Sequence, residues 1–172
     1  FPYTTLFRST YVGEWKAGQI NGQGKLTQAN GDVYEGTFVD GQKQGQGKLT
    51  YASGDVYEGV FSVDKRNGQG VFRSKDGYVF EGVWKDGHIS GMGKLTYPDG
   101  SIYQGQVADD RPHGRGKITY ADGSSYDGDW KAGVIEGQGK ATYADKSVYE
   151  GRFRAARPDG IGAITFADGY SY

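Results

Sequence analysis

The stretch YEGTFVDGQKQGQGKLTYASGDV, residues 34–56, decides the fold. The same 23-residue unit is written seven times, opening on an aromatic ring at Tyr11, Tyr34, Tyr57, Phe80, Tyr103, Tyr126 and Tyr149, and Tyr172 starts an eighth. All 31 glycines fall in five columns of that unit. The third, twelfth and fourteenth columns are glycine in every copy, as at Gly13, Gly22 and Gly24. A fixed period of this length means a stacked array of small units, not one compact core.

Columns one to six and thirteen to eighteen read as strands, with a longer turn over columns seven to twelve and a tight one over nineteen to twenty-one. The tight turn is Ala-Ser-Gly at 52–54, Pro-Asp-Gly at 98–100 and Ala-Asp-Gly at 121–123. That is the pattern of a three-residue hairpin loop, a type I turn followed by glycine in the left-handed region. Lys146 occupies the glycine column of the sixth unit and is expected to take a positive φ, at a cost of about 1 kcal/mol. Across the longer turn this reading sets column five against fourteen, three against sixteen and one against eighteen. Trp84 then lies over Gly93, Leu95 over Gly82, and Phe80 beside Tyr97. Across the tight turn it pairs Leu49 with Tyr57 and Ile118 with Tyr126, and on the opposite face Lys25 with Glu35, Lys48 with Glu58, Lys117 with Asp127 and Lys140 with Glu150. Lys94–Gln104 and Val71–Glu81 break that ladder. The recurring glycines leave room for neighbouring rings to lie flat. The expected fold is all-β: an elongated, twisted, single-layer antiparallel sheet of tandem 23-residue β-hairpins, about 65–70 Å long at the usual strand spacing.

The units YEGTF…GQGKLTY from Tyr34 and FEGVW…GMGKLTYPDG from Phe80 resemble MORN repeats, membrane occupation and recognition nexus motifs. The resemblance covers residues 11–172. It implies consecutive hairpins in one sheet, used for protein–protein contact or for membrane association. Residues 1–9, FPYTTLFRS, lie outside the repeat and resemble a translated sequencing adapter, so they are set aside as non-native and the array is taken as 10–172. The chain is read as a fragment, since it lacks an initiator Met and stops one residue into a repeat.

Composition narrows the partners. Twenty basic and 21 acidic residues leave a net charge of −1, which steers the chain to neither nucleic acid nor anionic lipid as a whole. With no cysteine there is no disulfide or thiolate zinc chemistry. No apolar run approaches the ~18 residues of a membrane-spanning helix. Tyr 14, Phe 8 and Trp 3 must supply the burial.

Trp15, Trp84 and Trp130 are each followed by Lys-x-Gly-x-Ile-x-Gly, so Ile20, Ile89 and Ile135 are expected to pack on the indoles; recent duplication of one unit explains the pattern as well. Val107 is the one non-aromatic residue in the fifth column and is expected to leave a gap or pocket. A single-layer sheet cannot bury an aromatic face alone, so that face is expected to form a partner-binding groove lined by Trp15, Phe38, Phe61, Phe80, Trp84, Tyr97, Tyr103, Tyr120, Trp130, Tyr143 and Phe153. The bland alternative is that these rings merely pack on one another. Basic residues without an acid opposite are Lys65, Arg66, Arg111, Arg115, Arg152, Arg154 and Arg157, a weak lipid site blunted by Asp64, Asp109, Asp110 and Asp159.

His88 and His113 fall in turns of successive units, near Asp109 and Asp110, and are read as solvated rather than metal-binding. Glu35, Glu58, Glu81 and Glu150 recur because the repeat does, and no carboxylate pair breaks the symmetry as a catalytic pair would. Gly-Gln-Gly-Lys at 45–48 recurs at 22–25 and 137–140 and opens no helix, so it is strand sequence and not a phosphate loop. The reading is a non-catalytic scaffold with no metal and no cofactor. It binds a protein or peptide through the aromatic face, or another copy through its edge strands, and no nucleic acid. The alternative is a membrane- or phosphoinositide-targeting module of a larger protein. The expected location is cytoplasmic or peripheral to a membrane.

Overall fold

The computed structural model describes residues 8–172, so most of the segment 1–9 lies outside the described residues. The chain divides into two compact units, Phe1–His88 and Ile89–Tyr172. The first carries β1 (Thr10–Lys16), β2 (Gln19–Thr27), β3 (Val33–Val39), β4 (Gln42–Thr50), β5 (Val56–Ser62), β6 (Lys65–Arg73) and β7 (Val79–Lys85). β8 (His88–Thr96) starts at the boundary, and the second unit continues with β9 (Ile102–Ala108), β10 (Arg111–Thr119), β11 (Ser125–Lys131), β12 (Val134–Thr142), β13 (Val148–Arg154) and β14 (Arg157–Thr165). The sheet is antiparallel and unclosed, and strand order is chain order.

The tight turn forms as read. Tyr51 N–H donates to the Asp55 carbonyl and Gly54 N–H to the Tyr51 carbonyl, each at 2.9 Å, and Gly54 has φ 97°. The turn at 143–147 keeps both bonds with Lys146 in the glycine position at φ 70°.

The longer turn does not. Columns seven and eight alone make a two-residue loop with both φ positive, as at Asp40 (48°) and Gly41 (81°), which is the type I′ geometry matched to strand twist. The returning strand resumes at column nine, and column twelve sits at a bulge in the left-handed region, as at Gly45 with φ 73°. That glycine has a backbone reason to be there. The shorter loop and the bulge together leave the pairing beyond the bulge two residues from the expected one. Column one faces sixteen, as in Tyr34↔Leu49, and column three faces fourteen, as in Gly36↔Gly47. Column five faces ten, as in Trp15↔Ile20 and Trp130↔Ile135, and not fourteen. Across the tight turn Trp84 faces Gly68, Phe80 faces Phe72, and Leu95 faces Tyr103. A ring still meets a glycine, but the twelfth-column glycine of the preceding repeat.

The inter-repeat register is the expected one. Lys25↔Glu35, Lys48↔Glu58, Lys117↔Asp127 and Lys140↔Glu150 are all partners, with the two predicted interruptions at Val71↔Glu81 and Lys94↔Gln104. Three of them close ion pairs, at 3.3, 3.4 and 2.7 Å, between exposed groups. Such pairs contribute about 0–1 kcal/mol and serve register more than stability.

Adjacent hairpins are also stapled at their ends. Gly41 N–H donates to the Ile20 carbonyl at 2.8 Å, and Asp64 N–H to the Lys43 carbonyl at 3.1 Å. Where Asp replaces glycine in column eight, its carboxylate accepts a second bond, Lys43 N–H to Asp64 at 2.9 Å and Ile89 N–H to Asp110 at 2.8 Å. Pro112 has no N–H to offer, and the residue stapled to its carbonyl is Gly133.

Candidate functional site

Each first-column tyrosine lies flat across the row of paired glycines. A Cβ on Gly47 would fall 2.5 Å from Cε2 and 2.6 Å from Cζ of Tyr34, and Gly70, Gly116, Gly139 and Gly162 are covered by tyrosine in the same way. The hydroxyl then reaches a carbonyl three residues on: Tyr34 to Thr37 at 2.9 Å, Tyr57 to Val60 at 3.0 Å, Tyr126 to Asp129 at 3.1 Å. Burial pushes the phenols of Tyr34, Tyr57, Tyr103 and Tyr126 up to about 12. Fifth-column rings stand edge-on between successive tyrosines. Phe38 meets Tyr34 at 4.9 Å, Phe61 meets Tyr34 and Tyr57 at 5.0 and 5.2 Å, and Trp130 meets Tyr103 and Tyr126 at 5.1 and 5.6 Å. Edge-to-face pairs add about 0.5–1.5 kcal/mol each beyond burial. The indole N–H of Trp84 donates to the Gly70 carbonyl at 3.1 Å, and that of Trp130 to Gly116 at 2.9 Å.

This ladder corrects the expected groove. Phe38, Phe61, Trp84, Tyr103, Trp130 and Phe153 are buried in the sheet's own interior. Tenth-column side chains, read as turn residues, help close that interior. Ile20 and Ile135 lie opposite Trp15 and Trp130 as expected, and Ile89 is itself fully buried. Lys43 and Arg66 take the same place opposite Phe38 and Phe61, and the Lys43 ammonium sits 5.6 Å from the centre of the Tyr34 ring. The Arg66 guanidinium sits 4.4 Å from the Trp84 ring and 5.6 Å from both Tyr57 and Phe72, and it donates to the Gly87 carbonyl. Val107 is buried with Pro112 opposite, which covers the place where a gap was expected.

The expected lipid contacts do not converge. Arg66 is committed to the interior, Arg115 pairs with Asp129 at 3.2 Å, and Arg152 and Arg154 share Asp159 at 4.0 and 3.5 Å. Lys65, Arg111 and Arg157 each open a returning strand and are exposed, one to a hairpin. His113 Nδ1 accepts the Ala132 N–H at 3.2 Å, so it braces the next turn.

Concave features lie on both faces, among them a polar trough of about 560 Å³ along Gln138, Gly139 and Lys140 of the second unit. On the polar face of the first unit a trough of about 1190 Å³ follows the glycine row, floored by Gly24, Gly47 and Gly70 and walled by Gln23, Gln46, Gln69 and the Lys–Glu ladder. On the aromatic face of the second unit, the eighteenth-column rings Tyr97, Tyr120 and Tyr143 form a row, of which Tyr120 and Tyr143 are 37% and 38% exposed. Between Tyr97 and Tyr120 lies a slot of about 410 Å³ with Trp130, Val134 and Ile135 in its lining. Between Tyr120 and Tyr143 lies a second, of about 150 Å³, lined by Ile135, Ala141 and Phe153. Five of the eleven expected groove residues, Tyr97, Tyr120, Trp130, Tyr143 and Phe153, thus line an actual pair of slots. Trp15 is 61% exposed in the first hairpin, and Phe80 is half-buried beside Tyr78 at 6.3 Å.

Ala141 was missed in the sequence. Its column is otherwise Leu26, Leu49, Phe72, Leu95, Ile118 and Ile164, and the small side chain leaves the second slot open. The eighteenth column in the first unit offers Gln28, Tyr51 and Ser74, so the tyrosine row belongs to the second unit. Asp99, Asp122 and Asp145 run alongside it in column twenty. The Ser124 and Ser147 hydroxyls, each at 2.6 Å, and then the N–H groups of the same residues hold the Asp122 and Asp145 carboxyls below the usual carboxylate range, and the Ser101 N–H at 2.8 Å does so for Asp99.

The repeat geometry agrees with a comparison against known families. The MORN-repeat family matches residues 11–33, 34–56, 57–77, 80–102, 103–125, 126–148 and 149–169. The chain belongs to the MORN-repeat family. No curated protein matches the MORN array as a relative in sequence. Among solved structures it is similar to the TCP domain of SAS-4 (dCPAP) from Drosophila melanogaster in complex with a proline-rich motif of Ana2 (dSTIL). The two share 14% identity over 88% of this chain and 82% of that one, with a TM-score of 0.56. It is also similar to the wild-type TCP10 domain of Danio rerio CPAP in complex with a peptide of STIL, at 18% identity over 94% of this chain and 72% of that one and a TM-score of 0.56. These likenesses are of fold.

Proposed function

We propose that this MORN array is a non-catalytic scaffold that docks a partner peptide on the tyrosine row of its second unit. The observation that carries the reading is the pair of slots between Tyr97, Tyr120 and Tyr143, open on the aromatic face of the second unit. Amphipathic rings beside apolar slots are the usual anchors of peptide recognition. Two solved neighbours of the same fold are complexes, one with a proline-rich motif and one with a peptide, which supports the class of partner.

The test is selection of a random peptide library on the full chain, followed by binding to Tyr120→Ala/Tyr143→Ala. Both rings are partly exposed and outside the glycine-row ladder, so the variant keeps its β circular dichroism spectrum. Selected peptides should lose at least about 2 kcal/mol of binding, as anchor residues do. Enrichment of no peptide, or undiminished binding to the folded variant, overturns the proposal.

A further inference from the structure

The period of the array limits which peptide can fill both slots at once. The slots are one repeat apart, which is two strands, or about 9.4–9.8 Å. A bound chain crossing the strands must bring an equivalent side chain to the same face at that interval. A β-strand returns to one face every two residues, at about 6.6–6.8 Å or 13 Å, and misses the second slot. An α-helix returns after seven residues at about 10.5 Å, and the mismatch grows with each step. A polyproline II chain returns every three residues at about 9.3 Å, within about half an ångström of the repeat.

We infer that the tyrosine row of the second unit is built for a proline-rich peptide in polyproline II form, with an apolar residue at every third position and basic residues at its flank. The inference rests on the docking reading above. Polyproline II segments recognise aromatic-edged slots because their backbone is already ordered before binding. Their carbonyls make no internal hydrogen bonds, and the phenols of Tyr120 and Tyr143 stand beside the slots as donors. Asp99 lines the first slot, and Asp122 and Asp145 continue the acidic row at the same interval. A flanking Lys or Arg on the peptide meets that row, while acidic peptides are repelled.

Three synthetic peptides of equal length, each ending in two lysines, test the period on the full chain by calorimetry: four Pro-Pro-Leu triplets, six Pro-Leu pairs, and three Pro-Pro-Pro-Leu quartets. The triplet peptide should bind about tenfold more tightly than either other, lose that advantage on Tyr120→Ala, and weaken when its lysines become glutamates. Equal binding by all three periods overturns the inference, as does an advantage that survives in folded Tyr120→Ala. Library peptides that bind the tyrosine row without a three-residue apolar period also overturn it, while leaving the docking reading in place. If neither the library nor any of the three peptides binds, both fail.

Discussion

Gly47→Ala is the sharpest probe of how the interior is built. The added Cβ meets Tyr34 at 2.5 and 2.6 Å, so the ring must tilt off the glycine row. Forcing one methyl into a packed interior costs about 1–3 kcal/mol. Full displacement of the ring adds the burial of an aromatic side chain, at least about 150 Å² at ~25 cal/mol per Å², or about 4 kcal/mol. The expected cost is therefore about 3 kcal/mol, between partial tilt and eviction. In a Tyr34→Leu background the obstacle is gone, and the same methyl should cost under about 1 kcal/mol, a coupling of about 2 kcal/mol. Gly36→Ala is the control. Its Cβ meets the Gly47 Cα at 2.6 Å and the Gln46 carbonyl at 2.7 Å as well as the Tyr34 hydroxyl, so its cost should persist without the ring. Urea unfolding of the four-variant cycle, followed by circular dichroism, reads the coupling. An equal cost of Gly47→Ala in both backgrounds would refute the reasoning, because the glycine would then serve the backbone and not the ring.

Two further predictions concern strain and pH. Lys146 (φ 70°) and Val63 (φ 48°) hold left-handed backbone that their side chains disfavour; Lys146→Gly and Val63→Asn should each stabilise the array by about 1 kcal/mol in calorimetry, and an unchanged or lowered transition would show that the turns have relaxed. Folded-state phenols near 12, against about 10 in an unfolded chain, mean the unfolded state sheds protons first. Stability should thus be full below pH 10 and fall between pH 10 and 12, with tyrosinate absorbance appearing together with loss of β signal. A thermal midpoint that stays level to pH 12 is the contrary result.

How much was legible before the sheet was assembled differs column by column. The tight turn was readable because one residue type, glycine or a strained Lys146, must occupy one left-handed position. The Lys25–Glu35 and Lys140–Glu150 rungs followed from that turn, since a three-residue loop leaves one register. The other turn misled because glycines in columns eight and twelve look like the ends of one long loop, whereas each answers a separate backbone demand, a type I′ corner and a bulge. The shorter loop set column five against ten, as in Trp130↔Ile135, where fourteen was expected. Arg66 read as a weak lipid contact, because an arginine stem shows its apolar use only when a ring lies beside it.

The repeat, the strands, the tight turns and the inter-repeat register come from chemistry local to each 23-residue unit, where glycine, aromatic and charged columns leave few conformations open. Which rings are interior and which are offered outward is a property of the assembled sheet. Tyr34 and Tyr120 are the same residue type on the same face, yet one lies across a glycine row under the rings of two hairpins, and the other borders a slot that Ala141 leaves unfilled. Burial is set by what neighbouring strands bring above a side chain, and that depends on the bulge and on residues a repeat or more away.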